Sequence, residues 1–359
     1  INNPQLLKSL FSLIFKKNTA FRYSILFVLA RLSWIISFLM FSSKKHMEKS
    51  ARALRELQVL SLNCHKKLIK STNSERNITT PGWLKLFKTK KGFDKYLTEI
   101  DLLNKNKVEY DVLETNEVSK KYPDLREIFY KGVLFINSLR VKSPQKLSEN
   151  YFNYFKNING NFINESCQNL KFTGNKWRVY SNKSKYNFEQ IIISTGPWSK
   201  KILSELGYNI PLAWEKGYHH HFSTKKNIAI NPAIHDVEGG FVYSSNGGEV
   251  RITSGVELNF FNNKKNTDQI KEAIFRLKKI IPLKKQLTKE AWLGSRPTIV
   301  DSMPMIGKAP KHEKLWFNFG HNHIGLSTSA GSAKVLGEMI EGKRVSINVD
   351  PFLPSRFKL

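Results

Sequence analysis

The chain has 359 residues, of which 40% are hydrophobic, so it can bury one large core or two interwoven ones and is neither disordered nor collagen-like. Its 58 Lys and Arg residues against 29 Asp and Glu residues give a net charge of +29. The basic residues are dispersed and no zinc or nucleic-acid-binding motif accompanies them, so we predict no nucleic-acid partner. Two explanations of the charge stay open, a general compositional bias toward lysine and contact with an anionic membrane surface.

The cysteine and histidine content argues against disulfides and metals. Cys64 and Cys167 neither make a metal-spaced pair nor suffice for a disulfide framework, which is typical of a reducing compartment, and we expect a cytoplasmic location. The run His219-His220-His221 attracts attention as a metal cluster. Adjacent residues of a strand point to opposite faces and cannot converge on one ion, so we predict no metal site.

The first apolar segment covers residues 25–41 and contains Arg31. It is too short for a membrane-spanning helix, which needs about 20 apolar residues. Flanking cations that include Lys16, Lys17, Lys44 and Lys45 would suit an amphipathic helix on anionic lipid. A helix packed on its own domain is an equal alternative.

Further elements follow from periodicity and turn residues. We predict helices over residues 46–68, 93–103, 144–157 and 268–281. We predict strands over residues 83–87, 108–113, 169–172, 176–180, 186–188 and 191–193, and a hairpin around Gly247-Gly248. The apolar strand 191–193 is typical of a strand that is covered on both faces.

Three segments carry chemistry, and the first follows strand 191–193. Thr195 and Gly196, with Trp198 close behind, stand where the backbone of a parallel sheet can approach a ligand. An ordinary turn from strand to helix explains the same residues.

The second segment runs from Gly294 through Arg296 and Pro297 to Asp301 and Gly307. Its prolines and glycines predict an irregular loop held close to a ligand, and a guanidinium there can grip a carboxylate with two hydrogen bonds. The alternative is that Arg296 is a structural partner of Asp301.

The third segment is a predicted strand over 315–319, the loop Gly320-His321-Asn322-His323-Ile324-Gly325, and a helix over 327–341 with Ser327 as candidate cap. The N-terminus of that helix faces the glycine-containing loop. Backbone N–H groups and the helix dipole make it suited to an anion or to a carbonyl that gains negative charge.

These motifs occur in this order in the D-amino-acid dehydrogenase small-subunit group of the D-amino-acid oxidase and glycine oxidase superfamily, which the chain resembles. Lys216-Gly217-Tyr218 is similar to the family's lysine-glycine-tyrosine segment, and residues 294–307 resemble its glycine-x-arginine-proline loop. The resemblance implies FAD as cofactor and Arg296 as the group that binds the substrate carboxylate, with Tyr218 and Tyr243 as candidate substrate contacts. It implies these cofactor-binding residues: Thr195, Gly196, Trp198, Gly294, Gly320, His321, His323, Ile324, Gly325 and Leu326. For His321 and His323, a role in holding the loop is an open alternative.

The resemblance also implies the architecture, an α/β (α+β overall) protein with a Rossmann-like FAD-binding domain interleaved with an antiparallel-sheet substrate domain. We expect the first domain at residues 1–75, 143–210 and 293–359, and the second at 76–142 and 211–292. No glycines have the G-x-G-x-x-G spacing that cradles the FAD pyrophosphate, so we expect the first βαβ unit to be absent from this sequence. The family has glycine where Asn322 stands.

The implied activity is oxidative deamination of D-amino acids to 2-oxo acids and ammonium, by hydride transfer to flavin N5, with electrons passed to a quinone-type acceptor. The implied partners are the amino acid, that acceptor and the inner face of the cytoplasmic membrane. Two alternatives stay open: a glycine or sarcosine-type amine oxidase, and a non-catalytic remnant or basic membrane-surface protein without FAD.

Overall fold

The computed structural model describes residues 21–224, 228 and 231–359. Lys16 and Lys17, expected beside the first apolar segment, lie outside these residues. The described helices are α1 (Ile25–Ala30), α2 (Leu32–Met40), α3 (Lys44–Ser71), α4 (Lys90–Lys105), α5 (Thr115–Lys121), α6 (Pro144–Asn157), α7 (Ser199–Ser204), α8 (Asp268–Ile280) and α9 (Gly325–Ile340). None of these helices is both long and apolar enough to cross a bilayer.

The described strands are β1 (Phe21–Tyr23), β2 (Ile78–Thr79), β3 (Trp83–Phe87), β4 (Asp111–Glu114), β5 (Lys131–Phe135), β6 (Arg140–Val141), β7 (Cys167–Thr173), β8 (Lys176–Ser181), β9 (Lys185–Phe188), β10 (Ile191–Ile193), β11 (Leu212–Thr224), β12 (Ala233–Asp236), β13 (Phe241–Asn246), β14 (Glu249–Thr253), β15 (Val256–Leu258), β16 (Leu283–Gln286), β17 (Trp292–Ile299), β18 (Met305–Lys308) and β19 (Leu315–Phe319). The largest sheet has the order β1-β15-β11-β14-β13-β12-β3-β5-β4, and β16 and β17 pair with β11 as well. The expected α/β fold is confirmed. The largest sheet is mixed rather than purely antiparallel, because β1 pairs in parallel with β15 and β12 pairs in parallel with β3.

The two faces of this large sheet differ because side chains alternate along each strand. One face is apolar, with Tyr218, Phe222 and Ile252 buried against helix α8. Helix α8 presents Ile270, Ala273, Leu277 and Ile280 at helical spacing to the same core. The opposite face of β11 carries Glu215, Gly217, His219 and His221, and this polar face contains the site.

A smaller sheet has the order β10-β19-β18, in which β10 and β19 are parallel. Strands β7, β8 and β9 form the predicted antiparallel meander. Trp177 of β8 is fully buried, and its indole N–H donates to the Glu313 carbonyl at 3.0 Å, which ties the meander to the small sheet. Helix α9 packs on the 28-residue helix α3, where Gly331 lies so close to Ser61 that a Cβ would be 2.8 Å from it.

Several sequence expectations need correction. Ile192 is 47% exposed, so β10 is not covered on both faces by the described chain. Helix α9 begins at Gly325 with Ile324 at its cap position, and Ser327 instead donates to the Ile324 carbonyl at 2.9 Å from inside the first turn. Residues 25–41 form two short helices that are separated at Arg31, because that residue leaves the helical conformation with φ −124° and ψ 28°.

The domain division stays a prediction. Strand β17 pairs with β11 from Trp292 to Ile299, and β1 pairs with β15, so residues 293–299 and 21–23 share a sheet with residues 211–292. The two expected domains are therefore joined through strands as well as through loops.

Candidate active site

A cavity of about 590 Å³ lies between helices α1, α2 and α3 and the polar face of the large sheet. Its wall is mostly apolar, with Trp34 and Phe38 on the helix side and Val256 and Leu258 on the sheet side. Some polar side chains interrupt this wall, namely Arg55, Gln58, Asn106, Glu215, Thr298, Ser302, Asn322 and His323. An apolar cavity with a small number of placed polar groups is the usual form of a small-molecule site.

Two glycines that face each other in β11 and β17 determine how side chains lie over the polar face of the sheet. Gly217 pairs with Gly294 in the strand register. A Cβ on Gly217 would overlap the Arg296 guanidinium, and a Cβ on Gly294 would overlap the Trp292 ring. The Arg296 side chain therefore lies flat over Gly217. The predicted role of Gly294 in cofactor binding stays a prediction, and the structure gives it this packing role.

Arg296 is a cation without a fixed partner. Its Nη1 atom is buried and has no hydrogen-bond partner in the described chain. Burial lowers the pKa of Arg296 and the charge of Glu215 raises it, with a net lowering, although an arginine stays protonated throughout the accessible pH range. A buried, unpaired guanidinium is costly unless an anion binds there.

The structural alternative for Arg296 is excluded. Asp301 is paired with Arg356, whose Nε and Nη2 atoms donate to its two carboxylate oxygens at 2.8 and 3.2 Å. Both side chains are largely buried, which makes this bidentate pair a fixed part of the fold. Arg296 is left for another anion.

Glu215 stands directly opposite Arg296 in the strand register and lines the cavity. Its carboxyl group is hydrogen-bonded to His323 Nε2 at 2.5 Å, and the tautomer of His323 decides which of the two groups donates. Burial acts to raise the pKa of Glu215, but the hydrogen bond and charge of His323, followed by the charge of Arg296, bring it below its usual value. Glu215 is therefore an anion at neutral pH.

The loop that carries His323 is held by Asn322. Asn322 has φ +48°, a left-handed conformation that Asn adopts more readily than most residues. Its side chain accepts from Ile299 N at 3.3 Å and donates to the Ser302 carbonyl at 3.1 Å. Asn322 thus adopts a left-handed conformation that glycine adopts freely, and its side chain adds two hydrogen bonds that hold the loop.

Helix α9 presents a free N-terminus to this region. No side-chain hydrogen bond caps it, and its first residue is Gly325. Leu326 is 40% exposed, and its carbonyl accepts from His65 Nε2 at 2.9 Å. An uncapped 16-residue helix stabilises negative charge at its N-terminus.

A second cavity, of about 890 Å³, is lined by Thr195, Gly196 and Trp198. Strands β10 and β19 are parallel neighbours, so Thr195 and Gly320 follow their carboxyl ends at the same edge of the small sheet. In the described chain both predicted loops therefore lie where a doubly wound sheet holds its ligand.

The predicted contacts Tyr218, Tyr243 and His321 do not line either of the two cavities. Tyr218 is fully buried and donates to Glu257 at 2.9 Å. Tyr243 is 1% exposed in the same core, and burial raises its pKa. His321 is hydrogen-bonded to Ser332 of α9 at 2.9 Å, and burial lowers its pKa to about 4. Their functional roles stay predictions.

The histidine run does not form a metal site in the described chain. His219 and His221 share one face with ring centroids 5.3 Å apart, while His220 bonds to Thr288 on the other face. His219 instead stacks on Trp292 and bonds to Arg251. No group of three candidate ligand residues converges among the described side chains.

Sequence reasoning missed Glu215 and the tethers made by Asn322. The feature of the sequence that could have indicated Glu215 is the presence of Gly217 and Gly294 nearby. Two glycines in facing strands leave room for larger side chains, such as Arg296 and Trp292, to lie over the sheet. The partner of each strand was not visible in the sequence, so neither was the pairing of Glu215 with Arg296.

The parallel strand ends, the uncapped helix N-terminus and the cavity under a polar sheet face are features of an α/β protein that binds a dinucleotide cofactor. Comparison with known proteins agrees. The chain belongs to the DAO family of FAD-dependent oxidoreductases, whose model matches residues 33–339.

Individual proteins that are similar to this chain carry names from the same family. A D-amino-acid oxidase of Bradyrhizobium diazoefficiens is 26% identical over 91% of this chain and 78% of its own length. A D-amino acid dehydrogenase of Dechloromonas aromatica is 29% identical over 43% of this chain and 37% of its own length. The structure of glycine oxidase from Geobacillus kaustophilus superimposes with a TM-score of 0.75 at 15% identity, covering 84% of this chain and 81% of that one.

FAD is the cofactor that this family implies, and the residues present fit its reactive ring. The uncapped N-terminus of α9 would stabilise negative charge on the part of the ring that it contacts. Gly325 would tolerate a Cβ at 3.6 Å, so space rather than crowding surrounds the start of the helix. The described residues include no glycine-rich turn for the pyrophosphate.

Proposed function

We propose that the protein oxidises D-amino acids to 2-oxo acids and ammonium and that Arg296 binds the substrate carboxylate. The observation that carries the proposal is the half-buried Arg296 side chain, whose guanidinium lies over Gly217 and whose buried Nη1 atom has no hydrogen-bond partner in the described chain. A carboxylate would satisfy it with charge-assisted hydrogen bonds. The D-amino-acid names of two relatives favour this substrate class.

Bound FAD supplies a hydride acceptor at N5 for the hydrogen on the substrate Cα. The chain contributes orientation and charge. Arg296 fixes the carboxylate, and the apolar side chains of α2 and β15 exclude water from the Cα–H bond. The N-terminus of α9 stabilises the negative charge that develops beside it. Water then converts the imine to the 2-oxo acid and ammonium, so no side-chain nucleophile is required.

Substitution of Arg296 tests the proposal. Arg296→Ala should raise KM for D-amino acids by roughly 10- to 100-fold, because a hydrogen-bonded ionic contact of about 1.5–3 kcal/mol is lost. Arg276→Ala, on the exposed face of α8, is the matched control and should leave KM unchanged. An unaltered KM in the Arg296 variant would remove this residue from the carboxylate site.

A second candidate is oxidation of glycine, sarcosine or another small secondary amine, favoured by the fold similarity to glycine oxidase. A panel of D-amino acids, glycine and sarcosine, each tested for FAD reduction without oxygen, separates the two. A preparation that binds no FAD would instead favour the non-catalytic remnant.

For the acceptor we propose a membrane quinone, reached through an apolar surface on α1 and α2. This surface consists of Ile25, Leu26, Leu29, Leu32, Ile36 and Met40, each 50–75% exposed. Residues 21–47 contain four Lys or Arg residues and no Asp or Glu, which suits an anionic bilayer. The other side of the same helices lines the cavity, so a bilayer here would lie close to the site.

Vesicle flotation tests this surface. The chain should float with phosphatidylglycerol vesicles and much less with phosphatidylcholine, and a Leu26→Ser, Leu29→Ser, Ile36→Ser variant should lose at least tenfold in partitioning, since each buried apolar side chain contributes about 1.5–3 kcal/mol. Ile128→Ser with Ile158→Ser, at exposed apolar positions elsewhere, is the control. Unchanged flotation, or a dimer that the triple variant dissociates, would overturn the proposal.

A further inference from the structure

We infer that Glu215 and His323 form the second half of the substrate site: Glu215 receives the substrate ammonium group opposite Arg296, and the proton that this group must lose passes through Glu215 to His323. This inference rests on the proposed function, because it needs an amino acid whose carboxylate is on Arg296.

The register supplies the geometry. Glu215 and Arg296 are directly paired residues of β11 and β17 and lie on the same face of the sheet. They form no ion pair with each other, because the guanidinium lies over Gly217 while the carboxylate turns to His323. An anion and a cation are thus held side by side with a gap between them. An α-amino acid carries the opposite pair of charges on one carbon atom and can bridge such a gap.

The different solvent exposure of Glu215 and His323 indicates the direction in which a proton would leave the cavity. The Glu215 side chain is 12% exposed, whereas the His323 side chain is 45% exposed. Their hydrogen bond at 2.5 Å therefore connects a buried carboxylate on the cavity wall to an imidazole that contacts solvent. Histidine is the side chain best suited to exchanging protons with solvent near neutral pH.

The chemistry requires such a route. An amino acid in solution carries an ammonium group, and its nitrogen lone pair must be free before it can assist loss of hydride from Cα. One N–H bond of the ammonium group breaks and its proton forms an O–H bond on Glu215. With His323 in the tautomer that carries its hydrogen on Nδ1, the O–H bond on Glu215 then breaks as its proton forms an N–H bond at Nε2, and the Nδ1 hydrogen leaves to water. The substrate becomes a neutral amine, and no electrons are transferred in this step.

Other charged and titratable groups face the same cavity and set its balance. They are Tyr23 on β1, Arg55 on α3 and His323 on the loop before α9, and the charge of the neighbouring Arg296 on β17 also acts on Glu215. Within the described chain Glu215 is the one carboxylate among the residues that line this cavity. It is therefore the group there that can hold a cation and accept its proton.

A binding comparison tests the ammonium role without turnover. The probes are 2-aminoisobutyrate, which has no Cα hydrogen and cannot be oxidised, and isobutyrate, which lacks the amino group. The protein should bind the first roughly 10- to 100-fold more tightly by calorimetry. Glu215→Gln should remove most of this preference, whereas His323→Gln and the surface control Glu290→Gln should keep it.

The pH profile of anaerobic FAD reduction by a D-amino acid tests the proton route. Glu215→Gln should slow reduction at pH 7 by roughly 100-fold and move the rise in rate toward the pKa of the free amine. His323→Gln should shift the profile in the same direction with KM unchanged. If the pair were merely structural, the two substitutions would lower stability or raise KM without moving the pH profile.

The outcomes separate the two proposals. If D-amino acids reduce the FAD but Glu215→Gln keeps both the preference for 2-aminoisobutyrate and the original pH profile, this inference is wrong and the proposed function stands. If no amino acid reduces the FAD of the unmodified protein, the proposed function fails and this inference falls with it.

Discussion

Replacing Gly217 by alanine perturbs the proposed site by a single methyl group. The new Cβ would overlap the Arg296 guanidinium, whereas the backbone of Gly217 is ordinary strand that alanine can adopt. The guanidinium must therefore leave its position over β11, and the loss of an oriented ionic contact of about 1.5–3 kcal/mol corresponds to a rise in KM of roughly 10- to 150-fold.

Stability should behave differently from binding in this variant. Strand formation is undisturbed and the unfolded chain loses freedom, so the free energy of unfolding should change by less than about 1 kcal/mol. The assay is KM for a D-amino acid together with urea unfolding. Gly337→Ala in α9, where a Cβ meets no atom within 4 Å, is the control and should leave KM unchanged. An unchanged KM in Gly217→Ala would refute the assigned position of Arg296.

Three further predictions concern residues in and around the proposed site. Asp301→Asn should lower the free energy of unfolding by about 3 kcal/mol in urea, because Arg356 is left as a buried charge without its partner. Asn322→Val should cost about 1–3 kcal/mol in urea unfolding and weaken FAD binding in a fluorescence titration, since a β-branched residue resists φ +48°. The pKa of Glu215 is lowered in the folded state, so the stability that its charge contributes is present above the ordinary glutamate pKa and is lost as the pH falls. Thermal unfolding measured between about pH 5 and pH 3 should therefore show a smaller loss of stability for Glu215→Gln than for the unmodified protein.

The secondary structure was largely readable from local patterns. Helix α6, from Pro144 to Asn157, and strand β10, from Ile191 to Ile193, were predicted with their observed ends, because Ser143 and Pro144 begin the helix and small residues end the strand. The hairpin at Gly247 and Gly248 was visible because both residues need positive φ, and they have φ 58° and 89°.

The site was only partly readable because it depends on cross-strand register. The sequence identified Arg296 as a candidate but could not distinguish a substrate role from a pairing with Asp301. The structure shows that Asp301 pairs with Arg356 instead, and Arg356 lies 55 positions further along the chain. Glu215 was missed for the same reason, because its candidate role depends on its position opposite Arg296 in the neighbouring strand β17. Exposure of Ile192 was also beyond a local pattern, because it depends on which elements cover the strand.

The central claim is that Arg296 presents an amino acid to bound FAD. The most direct test is an absorbance titration of the FAD-loaded protein with a D-amino acid under anaerobic conditions, beside the same titration of Arg296→Ala. The account predicts that the flavin band of the unmodified protein bleaches at substrate concentrations roughly 10- to 100-fold lower than in the variant. Equal bleaching in both proteins, or none in either at any amino acid concentration, would contradict it.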